Sequence, residues 1–258
     1  MLLAGTPEFY IFTLVLMRMS GFVFLNPIWG RKNIPALFKT GLTLLLAVTV
    51  YPSAGTAQAG TDSALLYGVI LLKEFAVGYV LALVMQIFEM AVTYAGSVID
   101  YQMGLSMSTI YDAQNGTQVA LTGNILQIYF LLLFFAVDGH LALMKIIMTS
   151  QEAVPYGAVV IGTEAAEAIL RIFIECIVLA VKLAFPIIAF EFLVEVGTGL
   201  LMRIIPQINL FVISIQLRVI IGVVMMVFLL SPMGDYIGNI ITEMMKALQA
   251  LLRTAGQT

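Results

Sequence analysis

Charge is scarce in this chain, and so are the residues that carry out chemistry. Of its 258 residues only 10% are charged, one is a histidine and one a cysteine, whereas soluble domains carry about 25% charged residues. A lone histidine, His140, excludes the paired histidines that a metalloprotease helix places one turn apart, and no zinc set is assigned. A lone cysteine, Cys176, excludes an intrachain disulfide, and in the run IECIVLAV it reads as a small packing residue. The two lie on separate segments without a nucleophile signature, so a packing or capping role is expected for each. A phosphate-cradling G-x-x-x-x-G-K-[ST] loop is missing, and no serine sits in G-x-S-x-G. No catalytic residue, cofactor or metal ligand is assigned, and the chain is not read as an enzyme. Its 12 basic residues stand singly apart from Arg31 and Lys32, and the net charge is −3. No basic stripe can then neutralise a row of phosphates, which excludes nucleic acid as a partner. No basic residue precedes Arg18, so the charged start of a cleavable signal peptide is lacking, and the mature chain is expected to begin near Met1.

What the chain has instead is apolar length. Hydrophobic residues make up 61% and the mean hydropathy is +1.05. Thr40 to Thr61 and Ala113 to Val137 hold no charge at all, and roughly 20 apolar residues suffice to cross a bilayer as a helix. Runs such as TLLLAVTV and IYFLLLFFAV lack the alternation of a β-barrel. The expectation is an all-α, polytopic integral membrane protein with about six apolar helical segments, some kinked or broken. They fall near residues 9–29, 38–52, 65–90, 119–137, 168–195 and 207–231, with an amphipathic tail at 235–253. Turn signals separate them: Asn26-Pro27 to Pro35, Pro52 to Gly55, Asp112 to Gly116, Pro155 to Gly157, and Pro206. Residues 1–258 read as a single domain without repeats. Arg31, Lys32 and Lys39 cluster in the first loop, which places that loop on the cytoplasmic side.

Several charges sit inside the apolar segments, where each facing lipid would cost roughly 2.5–3.5 kcal/mol. Lys73 and Glu74 are adjacent and point about 100° apart on a helix, so at least one needs a partner elsewhere. Glu191 and Glu195 lie one turn apart with like charge and need Arg203, another cation or water nearby. Pro186 in mid-segment predicts a kink or break. With Gly197, Gly199 and Pro206 it gives a region of interrupted helix, which at membrane depth must be buried against protein or line a water-filled cavity.

The stretch 100–123, DYQMGLSMSTIYDAQNGTQVALTG, joins apolar helices through small, hydroxyl and amide residues and reads as a loop able to repack. Its methionines, Met103 and Met107, offer a compliant apolar surface. Near the C-terminus, Gly199-Leu200-Leu201-Met202-Arg203-Ile204-Ile205-Pro206-Gln207-Ile208-Asn209-Leu210-Phe211 matches a G-L-L-x-R-x-x-P-Q-x-N-x-F pattern, followed by Gln216-Leu217-Arg218 and Gly222. Upstream stand Arg18, Pro27, Gly30, Pro35, Lys39 and Gly41, then Gln102-Met103-Gly104-Leu105 up to Asp112, then Asp138-Gly139-His140 with Ser150, Pro155 and Gly157. On these blocks the chain resembles the FliR family of flagellar and injectisome (type III secretion) export-gate proteins along nearly its whole length. Departures from the family pattern are Gln216 for proline, Arg218 for lysine, Ala113 for the proline after Asp112, and Leu141 for a second histidine.

The resemblance implies a subunit that assembles with FliP-like and FliQ-like proteins in the bacterial inner membrane, at the flagellar basal body, into a channel for unfolded flagellar proteins. It also implies that such subunits can sit displaced from the bilayer plane, so that hydropathy marks surfaces buried against neighbours as well as lipid. Gly104, Leu105, Met107, Ile110, Tyr111 and Asp112 then become candidates for a gate or plug loop. Arg18, Pro27, Pro35, Gly139, His140, Pro186, Arg203, Pro206, Gln207, Asn209 and Phe211 become candidates for an assembly or structural role. The alternatives are a self-contained transporter or channel, for which broken helices and intramembrane charges are also expected, and an injectisome rather than flagellar gate.

Overall fold

Inside a hydrocarbon layer a backbone amide has no water to bond, so long apolar runs must close their hydrogen bonds within a helix. The structure, a computed structural model, describes residues 7–54, 63–105, 110–112, 117–158, 162–204 and 210–255. Their elements are α1 (Pro7–Leu25), α2 (Ala36–Val50) with a short 3-10 turn at Tyr51–Ser53, α3 (Ala64–Met103), β1 (Ile110–Asp112), β2 (Thr117–Val119), α4 (Leu121–Ala136), α5 (Gly139–Met148), α6 (Ser150–Ala153), α7 (Thr163–Ile204), α8 (Leu210–Phe228) and α9 (Leu230–Ala255). Among the described residues four helices are long and apolar enough to cross a membrane, or up to six spans if each of two bent helix pairs counts as one. The expected all-α polytopic class stands, with one antiparallel hairpin pairing Ile110 with Val119 and Asp112 with Thr117.

Three details differ from expectation. The segment placed at 65–90 continues as a 40-residue helix to Met103, so it takes in residues 100–103, the start of the stretch read as a loop. Residues 139–153, assigned to none of the apolar segments, form α5 and α6. Pro186 neither breaks α7 nor ends it, and the helix runs 42 residues through Pro186, Gly197 and Gly199. A proline removes one hydrogen bond, whereas ending the helix in apolar surroundings would strand several backbone groups at once. Helices of this length span roughly 60 Å, about twice the hydrocarbon thickness.

The chain divides into two compact units. The first takes residues 1–87, 138–173 and 242–258, the second 88–137 and 174–241, so the division falls within α3, α7 and α9. In the first unit Leu14, Val15, Met19, Phe22 and Val23 of α1 are fully buried. There α1 and α3 meet through glycines: a side chain on Gly21 would collide with the Phe75 carbonyl, and one on Gly78 with the Arg18 carbonyl. In the second unit α3 and α4 meet in the same way at Gly96 and Gly123. Small residues at a crossing let two backbones approach, which is how membrane helices gain packing without a hydrophobic driving force.

Candidate functional site

The glycine crossing of α1 and α3 brings Arg18 to Glu74, which lies one turn before Gly78. Both side chains are within 1% of complete burial, and Arg18 Nε donates to Glu74 Oε2 at 2.7 Å. Arg18 Nη1 donates to the Ser150 hydroxyl at 3.3 Å, and its guanidinium carbon lies 4.1 Å from the ring centroid of Tyr156. The second Glu74 oxygen accepts the Gly157 N–H at 2.8 Å, and Gly157 adopts the left-handed φ of 83° that favours glycine. Burial, reinforced by the Glu74 carboxylate and opposed by Arg18, pushes the Tyr156 phenol up to about 12. The partner that Glu74 required is thus Arg18, and two further motif residues hold the pair, Ser150 through Arg18 and Gly157 through Glu74. Tyr156 escaped sequence reasoning because no spacing relates it to Arg18.

The turn after α1 is built by its own motif residues. Asn26 Oδ1 accepts the N–H of Ile28 at 2.8 Å and of Trp29 at 3.3 Å. Arg31 donates to the Pro27 carbonyl at 2.8 Å, and Lys39 donates to the Gly30 carbonyl at 2.9 Å. A side chain at Gly30 would stand 2.5 Å from two carbonyl oxygens. Pro35 occupies the N-cap of α2, where its missing N–H costs nothing. Further on, Asp138 takes φ 55° at the start of α5, a conformation open to aspartate and asparagine. Gly139 is buried and His140 half-buried.

The second unit holds the approach to the candidate gate loop. Asp100, buried on α3, accepts the Thr122 N–H at 2.9 Å and so caps α4, whose own N-cap, Ala120, offers no side-chain bond. Met103 ends α3 and is 1% exposed. Gly104 follows at φ 77°, then a half-buried Leu105. Ile110, Tyr111 and Asp112 form β1, described by backbone alone, and Met107 lies outside the described residues. On α7 the cation that Glu195 needed is Arg218 of α8, at 2.9 Å, rather than Arg203, which is exposed in the last turn of α7. Glu191 is 1% exposed, and neither of its oxygens has a hydrogen-bond partner among the described residues. Pro186 is exposed on α7. Phe211 belongs to α8, again by backbone alone, while Pro206, Gln207 and Asn209 lie outside the described residues. Cys176 is buried in α7 as a free thiol. Among the described residues no group of three or more His, Cys, Asp or Glu side chains could hold a metal ion.

Several long apolar helices with buried charges at their crossings, and large apolar side chains such as Phe185, Leu193, Val227 and Phe228 turned outward, define a multi-pass helical membrane protein. The chain belongs to the family described as bacterial export proteins, family 1, whose profile matches residues 9–244. It is 29% identical over 251 residues to the flagellar biosynthetic protein FliR of Bacillus subtilis (strain 168), covering 96% of each chain. The FliR proteins of Escherichia coli K12 and Pectobacterium carotovorum are 26% and 27% identical, each covering 92% of this chain and 90% of theirs. The resemblance read from the motifs therefore extends along the chain.

Proposed function

We propose that this chain is a core subunit of the flagellar type III protein-export gate. It assembles with FliP-like and FliQ-like subunits, and with other export-apparatus proteins of the basal body, into a channel through the bacterial inner membrane for unfolded flagellar proteins. The observation that carries this reading is the match over almost the whole chain to proteins named for flagellar biosynthesis. A physical feature supports it. Val227 and Phe228 near the end of α8 are 72% and 79% exposed, and apolar surface of this extent requires lipid or companion subunits to cover it. The chain works as one module over residues 1–258, with the Arg31–Lys39 loop on the cytoplasmic side. Its part is to pack and to conduct, with no bond made or broken.

Within the gate, the loop over residues 104–122 acts as the plug, with Gly104, Leu105, Met107, Ile110, Tyr111 and Asp112 as its candidate residues. The left-handed turn at Gly104 lets the chain leave α3 abruptly. Small and apolar residues seal the conduit against ions and water, and displacement of the loop admits an extended polypeptide. The remaining motif residues, Arg203, Pro206, Gln207, Asn209 and Phe211, serve assembly and subunit docking.

The test has two arms. A tagged chain is expected to co-purify with its FliP-like and FliQ-like companions, and deleting 106–111 is expected to make the reconstituted complex leaky to small ions. Unchanged conductance removes the plug assignment. A chain that is monodisperse alone in detergent and carries a small solute across vesicles without companions overturns the gate in favour of a self-contained transporter.

A further inference from the structure

Arg218 on α8 is bound by one carboxylate and stands a single turn from another. It donates to Glu195 at 2.9 Å, with the two side chains 27% and 50% exposed. Glu191 precedes Glu195 by one turn of α7, about 5.4 Å. It is buried, with both oxygens unpartnered among the described residues, and Arg218 Nε is likewise buried and unpartnered. Gly222, one turn beyond Arg218, faces Glu191: a side chain there would stand 2.8 Å from its Oε1 and 2.6 Å from two atoms of Met103. The two helices therefore present Arg218 and Gly222 against Glu195 and Glu191 in antiparallel order.

We propose that Arg218 is a two-position switch, seated on Glu195 in this state and transferred to Glu191 when the gate loop moves. The inference rests on the plug reading above and deepens it. A half-exposed ion pair contributes little, and a buried carboxylate without a partner is costly. Electrostatics alone then favours the Glu191 seat, and the packing of Met103 and Gly222 beside Glu191 opposes it, which sets two states against each other as a bistable element requires. The space beside Glu191 is taken up by Gly222 and by the Met103 thioether. Bringing a guanidinium there forces Met103 to give way, and Met103 is the last residue of α3 before Gly104 and the plug. Movement of the charge and release of the loop's anchor are one event. Met103, flexible and unbranched, is suited to yield.

The test uses the full chain in its assembled, reconstituted complex. Glu191→Gln removes the second seat and is expected to lower small-ion leak and export about threefold, whereas Glu195→Gln removes the first and is expected to raise leak about threefold. Both effects are expected to disappear in an Arg218→Gln background. Glu191→Met, which leaves no polar group buried, guards against a folding defect in the first variant. Leak changes of the same sign, or effects that persist without Arg218, overturn the switch. Thermal unfolding of the same complexes separates this outcome from failure of the plug. In the Glu195→Gln background, Arg218→Gln is expected to lower the midpoint further, because Arg218 then holds Glu191. No lowering overturns the switch even where the 106–111 deletion leaks, and a lowering together with a tight deletion variant overturns the plug and with it the coupling.

Discussion

Arg18 and Arg218 each meet a glutamate of another apolar helix and each leave one buried guanidinium nitrogen unpartnered among the described residues, yet they differ in burial and in how many groups hold the pair. Arg18 is sealed in, its donors shared between Glu74 and Ser150, its flat face laid on Tyr156, and its glutamate held a second time by Gly157. Arg218 is partly open, holds one carboxylate and leaves a second, buried one without a partner. The first arrangement over-determines its geometry. The second, on the switch proposed above, leaves a second seat open to the guanidinium. A protein that must stay assembled while part of it moves benefits from having both, the rigid one at the α1 and α3 crossing and the loose one beside the end of α3.

The contrast breaks most severely at Arg18. Arg18→Ala strands the Glu74 carboxylate in the core and is expected to cost about 3–5 kcal/mol, seen as loss of folded chain from the membrane or a large fall in the melting temperature of the complex. A parental melting temperature would mean that the rigid site is elsewhere. Next comes Gly222→Ala, which overpacks Met103 and Glu191 and is expected to cost about 1–3 kcal/mol. Adding Met103→Ala should cost less than the sum of the two single changes, and strict additivity in that cycle would remove the contact between them. Arg218→Gln is expected to stay within about 1 kcal/mol of the parent in unfolding, so a loss approaching that of Arg18→Ala would erase the distinction drawn here. The smallest effect concerns Tyr156. Its phenol ionises at about 12 in the folded chain against an ordinary 10.0. A raised value favours the neutral form, so its contribution to stability is complete below pH 10 and fades as the pH climbs toward 12. Tyr156→Phe should flatten that part of the stability profile and little else.

Hydropathy made most of the architecture legible, since runs without charge can satisfy their backbone only as helices. What stayed hidden has local physical causes. The continuation of α3 past residue 90 was masked by Glu89, Gly96 and Asp100, which look like loop residues until their partners appear. Glu89 accepts a hydrogen bond from Gln127, Gly96 lies against Gly123 and Asp100 caps α4. Glu74's need of a partner was evident from its isolation beside Lys73, but nothing in the spacing pointed to Arg18, which lies on another helix. Glu191 and Glu195 announced a missing cation, and Arg218 supplies it to only one of them. Of the kink or break expected at Pro186, the break is absent because α7 runs on through it, and freed backbone groups in an apolar layer have no water to take them. Of the proposed gate loop, the sequence offered composition and a motif, while the hairpin register depends on pairing across the turn.

The burial of Cys176 has a practical corollary. It is the chain's one thiol and is only 2% accessible, so the native protein already serves as a nearly silent background for maleimide or spin-label work. A reporter cysteine placed at outward positions such as Leu200 or Val227 can carry a membrane-permeant spin label, and the distances between such reporters would register motion of α8 against α7 directly.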